Sequence, residues 1–352
     1  MTMTDLPKLF ILDVAHGNCS ILQDTEGTIV IDCAHGDTLI QTLRHLGISQ
    51  VDRIMISHAD QDHFKGFIDL LLEESITVKH IHINPDAIKG NPNTVKGSKV
   101  FTAMRLAITE ARTKHNVSHN YLDTDMTGTL DVGEVRVEVL SPNKDIMGYS
   151  GGKDLKGRTL SSNSVSGVIR LVYKSRGVAL LAGDIDLVGL ENLLNNISEI
   201  ESDILIFPHH GGHAGSGGTN ANQNFTSKLC QEVNPKLVIF STGRRDKEPH
   251  YPRPEIVQSV LDILPNVHIM CTQLAKTCSP ETLAISPTQL NALPSKGKEA
   301  NHCCGGTVII NLSETETTYA PNQTHRQFVQ NDVNSPLCKP SNTKDILGIT
   351  ES

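Results

Sequence analysis

The chain has 352 residues, enough to bury a substantial core as one large domain or two small ones. Its 31 basic and 39 acidic side chains leave a net charge of −8 with histidine neutral; this argues against an extended nucleic-acid-binding face and leaves room only for a local basic rim. Tryptophan is absent and aromatics make up 4% of the chain, which argues against a base-stacking platform for single strands.

Taken in order, Lys8 to Val14 is predicted to be a strand, followed by the turn Ala15-His16-Gly17-Asn18. Strands at Cys19 to Leu22 and Thr28 to Asp32 complete a β-meander. Asp37 to Leu46 has helical spacing, with Asp37 as N-cap and Gly47 just past the end. The apolar run ending at Ser57 reads as a buried strand, and a helix from about Phe64 to Glu74 follows. Val78 to Ile83 alternates as a strand, and Gly97 to His115 forms a long amphipathic helix. Gly133 to Leu140 is a further alternating strand. Residues 147–166 are rich in Gly, Ser and Lys and read as a mobile loop, expected to sit over the active site.

Strands Val168 to Tyr173 and Gly177 to Leu181 then form a hairpin, and Asp186 is placed to cap a helix from Leu187 to Leu194. Strands at Asp203 to Phe207, Leu237 to Ser241, Val267 to Cys271 and Thr307 to Leu312 alternate with helices from about Asn220 and from Pro254 to Leu264. The halves 7–140 and 166–312 each offer strands followed by helices, the order of a four-layer αββα sandwich. We expect one hydrolase domain over residues 1–313, with a Cys-containing insertion at about 272–305. Residues 314–352 read as a polar, irregular C-terminal tail.

The chemistry concentrates in His58-Ala-Asp60-Gln-Asp62-His63-Phe-Lys-Gly66, four divalent-cation donors within six residues directly after a strand. Imidazole and carboxylate both suit zinc, and added carboxylate shifts the preference toward harder ions such as manganese. Two later stretches carry the same residue types after strands, Ala182-Gly-Asp184 and Pro208-His209-His210-Gly211.

These three ordered motifs resemble those of the metallo-β-lactamase superfamily. Asp60 stands where the usual loop has a second His. That departure resembles the hydrolase domain of bacterial competence DNA-uptake channels and its free-standing relatives, with the loop H-x-D-x-D-H-x-x-G. The resemblance implies an α/β fold of the αββα sandwich type and a pair of divalent metal ions, Zn or Mn. It implies His58 and Asp60 on the first ion, Asp62 and His63 on the second, and Asp184 bridging both. His209 or His210 would complete the second site, the other orienting substrate or stabilising the leaving group. The usual third His of the first site is missing, and Asn163 is its best substitute. His250, in His-Tyr-Pro after a basic turn, is a further candidate ligand or general acid. Asp13, Asp32, His16 and His35 read as supporting residues rather than ligands.

Two such ions, roughly 3.5–4 Å apart, would lower the pKa of a shared water and hold hydroxide at neutral pH. They would also neutralise charge on a phosphoryl or carbonyl oxygen, so the rim must choose the substrate. Lys65, Arg244, Arg245 and Lys247, with Lys153, Lys156 and Arg158 in the loop, would suit a phosphodiester backbone. The resemblance to the competence branch moves the expectation to a metal-dependent phosphodiesterase or nuclease, with nucleic acid as substrate and Asp62, Asp184, His210 and His250 as catalytic candidates. A carboxylic ester, thioester or lactone hydrolase is the rival, and a degenerate metal-holding binding domain the third reading.

The Met1-Thr-Met-Thr-Asp-Leu-Pro-Lys8 start has no charged leader and apolar core, and no run of about 18 apolar residues occurs, so a soluble, cytoplasmic protein without a membrane partner is expected. Protein partners and self-association are left open. The eight cysteines then favour thiols or metal ligands over disulfides. Cys271, Cys278, His302, Cys303 and Cys304 form a candidate structural zinc site. Cys19, Cys33, Cys230 and Cys338 look isolated.

Overall fold

A computed structural model describes residues 6–89, 95–215, 217–284, 289–298, 300–312 and 315–339. Six strands and four helices come from the first part of the chain: β1 (Lys8–Ile11), β2 (Cys19–Gln23), β3 (Thr28–Cys33), α1 (Thr38–His45), β4 (Gln50–Ile56), α2 (Gln61–Leu71), β5 (Thr77–Ile83), α3 (Pro85–Lys89), α4 (Val95–His115) and β6 (Ser118–Tyr121). The second part supplies β7 (Val135–Ser141), β8 (Val168–Tyr173), β9 (Arg176–Leu181), α5 (Leu187–Asn196), β10 (Ile204–Ile206), α6 (Gly218–Val233), β11 (Leu237–Phe240), α7 (Pro254–Ile263), β12 (His268–Cys271), β13 (Val308–Asn311), β14 (Thr318–Ala320) and α8 (Gln323–Asn331).

The strands form two sheets, ordered β14-β13-β1-β2-β3-β4-β5-β6 and β12-β11-β10-β9-β8-β7. Period-two alternation sorts their side chains. Leu9, Ile11, Ile29, Ile31, Val137, Leu171, Leu237 and Ile239 fill the space between the sheets. Their sequence neighbours point outward: Phe10 and Val30 pack with Leu39, Phe64, Phe67 and Met104 of α1, α2 and α4, and Leu205 and Val238 pack with Leu190, Phe225, Val260 and Phe328 of α5 to α8. This is the αββα sandwich that the alternation of strands and helices predicts.

β3 to β6 run parallel, as do β9 to β12. Parallel neighbours need crossovers, and the helices supply them. Segments following β3 and β4 therefore leave their sheet at one edge, and those following β9, β10 and β11 leave the other sheet likewise. The three motifs are these exits, the usual place for a ligand in parallel sheets.

Three local expectations are corrected. The helix after the metal motif starts at Gln61, with Asp60 at the N-cap position, so Asp62 and His63 occupy its first turn rather than a loop. Residues 147–166 fold back on themselves, with Lys153 bridging Thr159, and Arg158 ties them to Glu191 of α5 at 2.7 Å. The chain beyond Ser313 is not irregular throughout: β14 pairs antiparallel with β13, and α8 buries His325, Phe328 and Val329, three positions on one helical face inside a polar sequence.

Candidate metal centre

Ser57 ends the exit from β4 and organises the two histidines that follow. Asp32, held in the left-handed region at φ 56°, accepts from Ser57 N at 2.7 Å, Ser57 Oγ at 2.7 Å and His63 Nδ1 at 2.7 Å. Ser57 Oγ, its hydrogen given to Asp32, lies 3.2 Å from His58 Nδ1 and can accept from it. On the other sheet, His210 Nδ1 donates to the Ser241 carbonyl at 2.7 Å. A carbonyl or carboxylate can only accept, so the Nδ1 atoms of His63 and His210 carry a hydrogen, as does that of His58 when Ser57 Oγ accepts from it, and in each neutral ring Nε2 is left with a lone pair.

Those lone pairs face carboxylate oxygens. His58 Nε2 lies 3.7 Å from Asp60 Oδ2 and 3.7 Å from Asp184 Oδ2, His63 Nε2 lies 3.3 Å from Asp184 Oδ1, and His210 Nε2 lies 3.0 Å from Asp62 Oδ2. His58 and His63 are fully buried, and neither Nε2 has a hydrogen-bond partner. Lone pairs facing anionic oxygens repel unless protons or a cation lie among them. Separations of this size are what two donors about 2.0–2.2 Å from one ion would have.

Asp184 follows the Ala182-Gly183 turn after β9. Its backbone N–H donates to Ser166 Oγ at 3.0 Å, and its Oδ1 accepts from His209 N at 3.0 Å. His209 and His210 are both left-handed, at φ 53° and 56°, a costly conformation for two successive non-glycine residues. It aims His209 Nδ1 to 3.4 Å from Asp184 Oδ2, while His210 turns toward Asp62. The two histidines thus serve different donors.

Electrostatics fit a site built for positive charge. Burial opposes ionisation of Asp184, but His63 and His209 outweigh it and hold the carboxyl well below the usual range. Burial likewise opposes charge on Asp62, whose bond to His210 and nearness to His63 hold it far down. The nearby His58 imidazole lowers Asp60. Burial disfavours imidazolium at His63 and His210, yet Asp184 and Asp32 raise the first well above the ordinary histidine value, and the bond to Asp62 raises the second. For His209 burial prevails and lowers it.

Among the described residues, two groups present ligand atoms within 4.8 Å of one another: His58, His63 and Asp184, and His16, Asp62 and His210. Asp60 and His209 border the first group through the contacts above. His16, expected to be a supporting residue, stands in the second of these groups. The available signal was its position on a turn after an apolar strand, the same context as His58. Asp32 takes the supporting place expected of it, His35 is exposed, and Asp13 accepts from Gln273, Ser295 and the Gly297 N–H in the C-terminal insertion.

The other expected site residues have varied surroundings. His250 Nε2 lies 3.3 Å from Glu248, and its neighbour Tyr251 stacks on His16 at 5.7 Å. Arg244 is turned away to bind the carbonyls of Leu274, Ser279 and Pro280. Arg245 instead lies over the Tyr251 ring at 5.3 Å. Lys156 and Arg158 are paired with Glu191. Lys65 stands half-buried on α2. Asn163 opens the 3-10 turn Asn163–Val165, and its carbonyl accepts from Ser166 N. The candidate structural zinc set is not gathered within ligand distance among the described residues. Cys303 Sγ faces Ser295 and Asp13, and Cys304 Sγ lies 3.2 Å from His325 Nε2. Cys271, Cys278 and Cys304 line a cavity of about 20 Å³ together with Cys338, which is therefore not isolated.

Several known proteins are similar to this chain. ComE operon protein 3 of Bacillus subtilis (strain 168) is 26% identical over 225 residues, which is 62% of this chain and 23% of that protein. The chain thus spans less than a quarter of that relative's length. Among solved structures, the metallo-beta-lactamase fold protein YhfI from Bacillus subtilis aligns with TM-score 0.45 and 12% identity, covering 76% of this chain and 97% of that one. Igni18, a metallo hydrolase from the archaeon Ignicoccus hospitalis, aligns with TM-score 0.44 and 13% identity over 75% of this chain and 94% of its own. The family model of the metallo-beta-lactamase superfamily matches residues 12–219. That match covers more than half of the sequence and carries the metal motif and Asp184, and the chain belongs to the metallo-beta-lactamase superfamily of metal-dependent hydrolases.

Proposed function

We propose that this chain is a phosphodiesterase acting on nucleic acid. His58, Asp60, Asp184 and His209 would hold one divalent ion, and Asp62, His63, His210 and the shared Asp184 the other. The observation that carries the metal reading is the orientation of His58, His63 and His210, whose Nε2 atoms face carboxylates and are stable together only around positive charge. In this reading His209 takes the place first given to Asn163, since its Nδ1 approaches the same Asp184 oxygen as His58.

Divalent ions bound there would supply a nucleophilic hydroxide at neutral pH and neutralise charge developing on the attacked group. The protein's own contribution is to hold the donors deprotonated toward one point and to keep Asp184 anionic. The first site, with Asp60 added, is the richer in oxygen and would accept manganese beside zinc; the second, with two or more imidazoles, favours zinc.

Phosphorus is favoured over carbon by the rim. Arg245 lies over Tyr251, which stacks on His16, so a guanidinium stands beside the donor cluster. Its charge is felt at the His16 ring. A guanidinium at that place suits a phosphate oxygen, as does Lys65 on α2. The resemblance to the competence-channel domains points the same way. Metal-reconstituted protein should be tested on labelled single- and double-stranded DNA, RNA, a small phosphodiester and a lactone, with Asp184→Ala as control. Metal-dependent cleavage of a nucleic acid that Asp184→Ala abolishes is the expected result. Hydrolysis of the lactone alone would replace this reading with a carbonyl hydrolase, and activity on none would favour a metal-holding binding domain.

A further inference from the structure

We infer that His16 is a direct ligand of the second cation, giving that ion a third imidazole beside Asp62 and His210. The inference rests on the two-ion reading above and concerns a residue outside its three motifs.

The turn that carries His16 is built to a fixed position. Ala15 at φ 65° and Gly17 at φ 130° reverse the chain after β1. Gly17 has no room for a side chain: a Cβ there would lie 2.4 Å from the Asp62 carbonyl oxygen and 2.7 Å from Ala34 Cβ. Asn18 N donates to that same Asp62 carbonyl at 3.1 Å, and Ser241 Oγ donates to the Gly17 carbonyl at 2.7 Å. Across the turn, a Cβ on Gly243 would come within 2.7 Å of His16 N. The backbone of residue 16 is therefore clamped between the first turn of α2 and the loop after β11, the two segments that position Asp62 and His210.

From that clamp the imidazole reaches the donor cluster. Its Nε2 lies 3.5 Å from Asp62 Oδ2, the oxygen that His210 Nε2 also approaches at 3.0 Å. The His16 and His210 rings are 4.4 Å apart and tilted by 54°, and one ligand atom of each lies within 4.8 Å of the other and of an Asp62 carboxylate oxygen. Tyr251 covers the outer face of His16 at an interplanar angle of 11°, limiting its swing. His16 Nδ1 is buried without a hydrogen-bond partner, so no acceptor competes for the ring. His210 Nε2 already approaches Asp62 Oδ2, and an ion among the three would give both imidazoles and the carboxylate one common partner.

The test is metal binding itself. Metal-free protein is titrated with Zn²⁺ against a chromophoric chelator, and the visible absorption of the Co²⁺-loaded protein is recorded, for wild type, His16→Ala, His16→Gln and Asp184→Ala. In both His16 variants the affinity of one ion is expected to fall on the order of 10- to 100-fold or more, with the other ion retained and the Co²⁺ spectrum changed, since even supporting groups carry losses of that size. Wild-type affinity for both ions in His16→Ala would overturn the assignment. So would full recovery in His16→Gln, because an amide can hydrogen-bond Asp62 but is a poor zinc ligand, and recovery would make His16 a positioning residue. Circular dichroism of the metal-free variants checks folding; should His16→Ala fail to fold, His16→Gln alone decides, wild-type affinity overturning the assignment and loss of one ion sustaining it. Wild-type protein that binds no ion would remove the two-ion reading itself, and Asp184→Ala that keeps both ions would show that only its bridging assignment is wrong.

Discussion

Asp32 Oδ2 accepts a hydrogen bond from His63 Nδ1 at 2.7 Å, and the same carboxylate takes the N–H and the hydroxyl of Ser57. One buried side chain from β3 thus sets the direction in which the donors after β4 face. Asp32→Asn turns one oxygen into a donor and breaks at least one of the three bonds. Metal affinity should fall on the order of 10- to 100-fold, and the metal-free protein should lose about 1.5–3 kcal/mol, the scale of one buried bond to a charged group. Calorimetric metal titration and denaturant unfolding measure the two effects. Unchanged metal affinity would mean that His63 needs no such orientation.

A pH dependence follows from His63 and His210, both shifted upward in the metal-free protein. A raised folded pKa gives stability that is complete below the unfolded value of 6.5 and is lost as pH rises through the folded value. Buried His82 and His268, lowered to about 4, and His325, lowered to about 3, act in the opposite sense, but only below 6.5. Above that value the metal-free protein should therefore become less stable as pH rises toward the cysteine range. Metal affinity should move the other way, because bound ions must displace those protons. Melting temperatures in chelator and titrations in buffers of different ionisation enthalpy measure both slopes. Metal affinity that stays flat or falls as pH rises would contradict the protonated metal-free state.

Much of this was legible in the sequence. Period-two strands, helical spacing and three ordered motifs located the sandwich and most donors, because alternation and donor type are local properties. His16 was not legible, since its importance depends on a turn clamped by Asp62 and Ser241, residues distant in the chain. The stacking of Tyr251 on His16 was hidden for a related reason, since sequence order cannot say which residue of the turn after β11 meets a turn that follows β1. β14 and α8 were hidden by a polar composition, which conceals a helix that buries only one narrow face.

Adjacent arginines should separate into two roles. Arg244 ties the loop after β11 to the insertion through three carbonyls, so Arg244→Ala should cost about 1.5–3 kcal/mol of stability. Arg245 lies over Tyr251 at the mouth of the donor cluster. Arg245→Ala should leave unfolding unchanged within about 0.5 kcal/mol and raise KM for a phosphodiester, with a smaller loss in kcat. Thermal melts and steady-state kinetics of the two variants side by side decide the matter. The opposite pattern, with Arg245→Ala unstable and Arg244→Ala impaired on substrate, would refute the assignment of the rim.

Gly66 closes the first motif, yet it touches no donor. A Cβ at that position on α2 would lie 2.1 Å from the Ala34 carbonyl oxygen and 3.2 Å from that of Cys33. Both obstacles are backbone, so α2 would have to move away from the end of β3. That displacement carries His63 away from Asp32, because His63 is one turn earlier on the same helix and Asp32 lies on the strand being crowded. Gly66→Ala, usually favourable within a helix, should here destabilise by about 1–3 kcal/mol, the range for overpacking, and should weaken metal binding together with stability. A helix-stabilising outcome in thermal unfolding would show that α2 has slack against β3. The glycine would then owe its place in the motif to something other than close packing.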